Sequence, residues 1–556
     1  MSIFRTELAK RQTDLVGRRW LFIPYDQLTD SIGPLAREDP KTLGIVLVEN
    51  PWKASRRPYH KQKLALILAN LRHFALEQAA RGVAIRHVVT DGPYRTALEP
   101  MISELGPIRL MVPAERELRV DLQPMVDTGS LKLIPHEGWL TTHEQFRAST
   151  TKGSPWRMDA FYRYVRRDTG VLMEGDKPVG GKYSFDAENR LPWRGEPKPP
   201  TPPIFPRDPI KEEVDRLIQS KFSNHPGRLD LSILPVTSAD AETLWSWAKR
   251  KCLALFGPYE DAMSTRSRSL FHTRISSLIN INRLLPDRVV KDVMGMDIPL
   301  PSKEGFIRQV LGWREFVHHV HVATDGFREI PAGNTPVVSE PGDGGYSRWA
   351  GKPWPSKRLP GDPDGGAKPS FLGDETPLPP AFWGEKSGFA CLDHIVSGIW
   401  TEGYSHHITR LMVLCNLATL IGVSPRELTD WFWVAYTDSY DWVVEPNVLG
   451  MGIFAVGELM TTKPYVSGAS YILRMSDYCD GCAFDPKGNC PFTNLYWAFL
   501  ARHEALLRHN PRLRMVMASI RRRDAGRRQY DQAVFPMVRD TLLSGDVIKP
   551  EKLPVM

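Results

Sequence analysis

Long apolar runs are missing from this 556-residue chain: no stretch reaches the roughly 18 apolar residues that cross a bilayer. The start, Met1 to Arg19, is charged where a secretion signal would carry an apolar core. Both absences make a cytoplasmic protein with no membrane partner the expectation. Cysteine is scarce at six residues, and a reducing cytosol argues against reading those six as disulfides. No GxGxxG follows the first expected strand, so an ordinary dinucleotide site is not supported. Internal repeats are lacking as well.

What is present is ordinary globular material, 42% hydrophobic and 24% charged, long enough for two or three domains of roughly 150 residues each. The net charge of +8 favours a polyanionic partner, because Lys and Arg contacts to phosphate dominate nucleic-acid affinity. Sixteen tryptophans are available for packing, stacking or electron transfer.

Short β-rich runs mark residues 1–150: Trp20 to Pro24, Gly44 to Glu49, Ala84 to Thr90, Arg109 to Val112 and Leu131 to Ile134. Between the second and third, Tyr59 to Arg81 repeats its apolar positions at helical spacing, so a parallel sheet in a Rossmann-like α/β domain is expected. Residues 151–210 read as a linker, and within it Leu191 to Pro209 holds eight prolines in nineteen residues, a stiff connector. From 211 to 556 the pattern is helical, as in Ala239 to Phe256, Lys303 to Val322, Tyr404 to Ile421 and Asn494 to Arg508. Pro331 to Pro380, with eleven prolines and nine glycines, interrupts it as an irregular insertion.

Four cysteines fall late: Cys391, then Cys479 and Cys482 in a CxxC spacing, then Cys490 directly before Pro491. CxxC presents two thiolates from one turn, and Cys-Pro recurs as the fourth ligand of cubane clusters. An iron–sulfur cluster, a structural zinc and chance clustering of buried thiols all stay open on spacing alone. Cys252 and Cys415 lie in apolar helical runs and read as core residues.

Several phrases resemble the photolyase and cryptochrome family, in its bacterial iron–sulfur branch. They are Gly180-Gly181-Lys182 with Phe185 to Arg190, Tyr259-Glu260-Asp261-Ala262-Met263, Leu270 to Ser276, Arg308 to Phe316, and Pro446 to Met451. The resemblance spans nearly the whole chain. It implies an α/β plus all-α fold, with an N-terminal Rossmann-like antenna domain and a C-terminal helical domain that binds FAD beside a 4Fe–4S cluster. The cluster ligands would be Cys391, Cys479, Cys482 and Cys490, acting as a brace. His272, Thr273, Ile275 and Ser276 would hold the FAD phosphates, hydroxyls and a histidine ahead of a helical run being suited to a diphosphate. Arg410 would pair with Asp438 beside the flavin ring, with Tyr259, Arg314, Asp441 and Asn447 as further contacts. His406 and His407 match the lesion-facing histidines of (6-4) photolyases, and histidine suits proton delivery near neutral pH. Asp261 and Tyr465 match residues of that pocket, Asp186 and Arg190 interdomain or DNA positions. Trp431 and Trp383 match electron-transfer tryptophans, but Phe432 stands where relatives often carry tyrosine, so that either Trp433 substitutes or the chain uses fewer relays. Glu49 matches a contact to a ribityllumazine antenna, although Asn50-Pro51-Trp52-Lys53 departs from the acidic stretch found there. Mg2+ is a further candidate cofactor.

The expected function is light-driven repair of (6-4) photoproducts in UV-damaged DNA by a monomeric lyase. A cryptochrome-like photoreceptor and a light-independent, primase-like nucleic-acid protein are the alternatives. Arg521-Arg522-Arg523 and Arg527-Arg528 would suit a phosphate backbone but read as a solvated helical face.

Overall fold

A computed structural model describes residues 2–11, 14–150, 153–331 and 366–555. Most of the insertion expected at 331–380 lies outside them. Five parallel strands form the N-terminal sheet: β1 (Arg19–Phe22), β2 (Leu43–Glu49), β3 (Ala84–Val89), β4 (Ile108–Met111) and β5 (Leu131–Ile134), in the order β3-β2-β1-β4-β5. β2 is buried at every position and pairs with β1 on one side and β3 on the other, which is why its sequence is apolar almost throughout. Gly44 lies opposite Trp20, and a β-carbon there would sit 2.6 Å from the indole, so only glycine lets that ring cross the sheet. The helix Lys61–Ala80 makes the crossover from β2 to β3 and is capped by the His60 imidazole, which accepts the Gln62 N–H.

The stretch expected as linker is partly structured, with a helix at Met158–Thr169, but 191–208 carries no helix or strand. The connector ends where Asp208 caps the helix Pro209–Lys221, with proline at the first position that needs no donor. That helix sits on the α/β layer, since Glu213 accepts the Ser2 hydroxyl at 2.5 Å and the Phe4 N–H at 2.9 Å.

Beyond it the described residues are helical, and no helix among them is long and apolar enough to cross a membrane. Three turns open to π geometry: Arg308–Arg314, Arg410–Cys415 and Pro446–Gly452. The first two lie within the helical segments expected at Lys303 to Val322 and Tyr404 to Ile421 and widen them without ending them. Each widened turn contributes one or more polar side chains to a single cleft, a common use of π turns.

The two layers are joined by backbone hydrogen bonds, His60 to the Val434 carbonyl at 2.9 Å and Lys61 to that of Pro226 at 3.0 Å. Arg116 and Asp325 add an ion pair at 2.7 Å across the same seam.

Candidate functional site

A cleft of about 1060 Å³ opens in the helical layer, and the structure brings to it His272, Thr273, Ile275, Ser276, Arg314, His406, His407, Arg410, Asp438 and Asn447. Arg410 grips Asp438 with two hydrogen bonds of 3.0 Å, donates a third to the Ser405 carbonyl, and lies over the Tyr436 ring at 3.9 Å. Ser276 donates to Asp438 at 2.7 Å. Burial alone would raise the Asp438 carboxyl; Arg410, Ser276 and Lys63 hold it below its ordinary value. Arg314 pairs with Glu315 at 2.7 Å and packs against Trp139 and Trp442.

Among the described residues, the cleft wall keeps buried N–H groups without a protein partner, Arg314 Nε and Trp442 Nε1, together with His406 Nδ1. Orphaned donors of that kind are costly unless a ligand takes them. Set beside Phe256, Ile279, Val310 and Val317, they fit a large group with an apolar ring and hydrogen-bond acceptors. The helix after the phosphate-matching segment spans only Ser276–Asn280, so its dipole is small and side chains carry most of the polarity.

At the mouth, the His272 and His406 rings stack at 4.4 Å with 11° between planes, and His407 stands edge-on to both. One ring nitrogen from each of the three lies within 4.8 Å of those of the other two. Burial pushes His272 and His406 well below the ordinary imidazole range, and nearby cations add to it. His407 is pushed down to about 4 by burial and then by Arg308 and Arg410. Because 43% of its side chain is exposed, the cations are the firmer part of that shift. Asp261 approaches His407 Nε2 at 4.0 Å and accepts the Tyr471 hydroxyl at 3.2 Å. Arg190 pairs with Asp186 and reaches Asp261 at 3.9 Å, and Tyr465 lies in the field of Asp186 and Arg190.

Behind this group sits a residue to which the sequence pattern assigns no role. Glu260 accepts from Gln309 at 2.5 Å and Asn189 at 3.1 Å, faces Arg308 at 3.5 Å, and is pushed up to about 7 by burial. Its only sequence signal is its place between Tyr259 and Asp261.

Two expected contacts stand away from the cleft. Tyr259 packs on Phe271 at 5.2 Å in a separate apolar cluster with Trp193, Ala262 and Leu270. Asp441 faces the α/β layer, where it accepts the Glu117 N–H at 3.1 Å. Glu49 lines a second, narrow cavity with Tyr25, Lys53, Lys63 and Tyr440, but its carboxylate is held by Arg72 at 2.6 and 2.9 Å and by His87 at 3.1 Å. Those partners overcome burial and bring it down to about 2.

Trp431 and Trp383 do not touch directly; Trp400 stands between them. It meets Trp431 edge-on at 6.1 Å and stacks on Trp383 at 5.4 Å, and the Trp400 and Trp431 indoles both donate to the Phe382 carbonyl. Trp383 and Trp400 line a surface hollow. Phe432 stacks on Tyr436 instead, and Trp433, the expected substitute, lies under Arg57 beside the second cavity.

Cys391, Cys479, Cys482 and Cys490 surround one small cavity walled by Phe389, Phe484 and Phe492. Gly481 holds φ +76°, the left-handed turn that CxxC needs here. Burial and the other three cysteines raise the Cys391 thiol, and burial pushes Cys479 up to about 11 and Cys490 to about 12. Four neighbouring thiols in an apolar shell are a donor set suited to a bound cationic metal centre. Cys252 and Cys415 are buried elsewhere in the core.

A family model described as deoxyribodipyrimidine photo-lyase-related protein matches residues 21–233. The (6-4) photolyase of Agrobacterium fabrum is 34% identical over 512 residues, covering 89% of this chain and 94% of that protein. Among solved structures, a bacterial class III photolyase from Agrobacterium tumefaciens aligns over 96% of this chain and 98% of its own, at 14% identity and a TM-score of 0.49. A Synechocystis cryptochrome aligns over 95% of this chain and 100% of its own, at 11% identity and a TM-score of 0.49. The 34% identity, carried across nearly the full length of both sequences, establishes that the chain belongs to the photolyase and cryptochrome family.

Proposed function

We propose that this chain is an FAD-dependent, light-driven repair enzyme for (6-4) photoproducts in DNA. The observation that carries the reading is the cluster of three imidazoles at the mouth of a cleft whose floor is the Arg410–Asp438 pair. The name of the Agrobacterium fabrum relative supports the lesion assignment. Bound in the cleft in its reduced form, FAD would supply the electron that light sends to the lesion. Arg410, Asp438, Asn447 and Arg314 would orient it, and the orphaned donors of Arg314 and Trp442 would find acceptors on it.

The histidines handle the proton. Cations and burial leave both His406 and His407 neutral near pH 7 in the free protein. DNA phosphates entering the mouth favour the charged imidazole and let His407 Nε2 hold the proton that the lesion takes. Asp261, 4.0 Å away, steadies the charged ring. His407→Gln is expected to cut single-turnover repair of a (6-4) oligonucleotide under blue light by roughly a hundredfold or more, with flavin content unchanged. Undiminished repair by that variant would remove His407 from the mechanism.

Four neighbouring thiols and the Cys490-Pro491 pair favour a 4Fe–4S cluster as the brace. The cavity beside Glu49 is the candidate antenna site. For photoreduction, Trp431, Trp400 and Trp383 would form the relay: each passes an electron inward, and an external thiol re-reduces Trp383 at the surface. In Trp400→Phe, light-driven flavin reduction with thiol present should slow several-fold, while repair by chemically reduced enzyme and the melting temperature stay at wild-type values. A wild-type photoreduction rate would break the relay at this residue.

A further inference from the structure

The net charge of +8 is concentrated. Residues 501–531 hold nine arginines against three acids, a local +6. They build the short helix Glu504–Leu507, a turn at Pro511–Leu513, the helix Arg514–Arg522 and the start of Ala525–Leu543. Arg514–Arg522 buries Met517 and Ile520 and turns Arg514, Met515, Ala518, Ser519, Arg521 and Arg522 to solvent. Met515 is 86% exposed.

Two arginines serve the fold: Arg523 is clamped by Asp531 at 2.5 and 3.0 Å, and Arg502 lies on Phe535 and donates to the Leu420 carbonyl. Arg521 meets Glu504 at 3.2 Å with both side chains exposed, a pair of little strength. Arg508, Arg512, Arg514, Arg522, Arg527 and Arg528 are exposed and form no ion pair among the described residues. So many uncompensated cations on one surface repel each other unless an anion covers them.

The surface is tied to the chain that leads to Tyr465. Asn510, at its edge, donates to the Thr462 carbonyl at 2.8 Å and to Glu458 at 3.0 Å, pinning the segment that leads to Tyr465. We propose that this face is a second DNA contact, gripping the phosphate backbone of the duplex that flanks the lesion without reading its bases. The inference rests on the repair reading for its partner. Duplex backbone fits better than single-stranded nucleic acid, because apart from histidine 501–531 offers a base only the half-buried Tyr530 to stack on, against nine arginines. Ala518 and Ser519 leave the helix surface low between arginines, and Arg514 and Arg521 lie roughly 10 Å apart along its axis, about three phosphates of one strand.

The test uses the flavin-loaded full chain with Arg521, Arg522, Arg527 and Arg528 all changed to Gln, and separately R512Q/R514Q. Binding is measured against salt on two lesion duplexes, one long and one trimmed to the base pairs beside the lesion. On the long duplex the slope of log affinity against log salt should fall by about 0.9 for each phosphate that the variant leaves unneutralised, and affinity at low salt by roughly tenfold or more. On the trimmed duplex, affinity and single-turnover repair should match wild type. An unchanged slope on the long duplex in variants with wild-type melting temperature overturns the proposal, as does an equal loss on both duplexes. Selective loss for RNA or for an acidic protein, with duplex binding intact, also overturns it. A wild-type protein that repairs nothing but shows the arginine-dependent slope sinks the repair reading and leaves this contact standing.

Discussion

Cys391→Ala is expected to purify without iron and to lose on the order of 5 kcal/mol of unfolding free energy, measured by denaturant titration beside metal analysis. Cys391 lies in the first turn of Ala390–Glu402, Cys490 caps Pro491–Arg502, and the CxxC turn lies between them in sequence. A centre held by all four therefore closes the 88-residue span from Cys391 to Cys479, and cross-linking a loop of that size removes about 4–5 kcal/mol of chain entropy from the unfolded state. Loss of the centre also leaves the remaining thiols around an unfilled cavity, where burial raises those of Cys479 and Cys490. The control is Cys252→Ala, which removes a buried thiol from the core at a distance from the centre and should keep full metal content. Wild-type stability in metal-free Cys391→Ala would show that the four cysteines are ordinary core residues. Zinc in place of iron in the wild type would keep the brace and change its chemistry.

The α/β layer was legible because its physics is local. Each of the five runs read as strands overlaps a strand of the sheet: Gly44 to Glu49 lies inside β2, and Ala84 to Thr90 covers β3. The helix read at Tyr59 to Arg81 spans Lys61–Ala80. Apolar alternation and turn residues act over a few positions, so sequence alone carries them. The π turns were not legible, since one widened turn inserts a single residue into a helical repeat and leaves the periodicity on either side intact.

For the cleft, the phrases around His272, Arg410 and Asp438 came from family resemblance, and the fold gathers them. Side-chain direction was beyond that reading: Tyr259 and Asp441 are contacts the resemblance implies, yet Phe271 and Glu117 draw them away. Trp400 shows the same limit. An indole at the end of a helix usually packs, and only the tertiary approach of 383, 400 and 431 makes it a bridge.

Asp438→Asn should prove the most damaging single change in the cleft. Asp438 is 5% exposed and holds Arg410 through two hydrogen bonds, with the buried Lys63 ammonium close enough to favour its charge. Lys63 is itself held by the Trp433 and Ser439 carbonyls at the seam between the layers. An amide of the same shape keeps the volume and removes the charge, so Arg410 is left buried without a counter-ion, a change that costs about 3–5 kcal/mol. Flavin should be lost with it, because Arg410 then keeps only the Ser405 carbonyl and the Tyr436 ring to hold it and the cleft floor carries an uncompensated positive charge. The pH dependence separates this from simple destabilisation. Since the folded pKa of Asp438 lies below its unfolded value, its contribution is present above the unfolded value of 3.8 and is lost as pH falls through the folded one. The difference in stability between wild type and Asp438→Asn should therefore stay constant from about pH 8 to about pH 5 and shrink in stronger acid. Asp438→Glu, which restores the charge at a longer reach, should recover part of the stability and part of the flavin. A constant difference down to about pH 2, or full flavin content in the asparagine variant, would mean that the Arg410–Asp438 pair is not the floor on which the site is built.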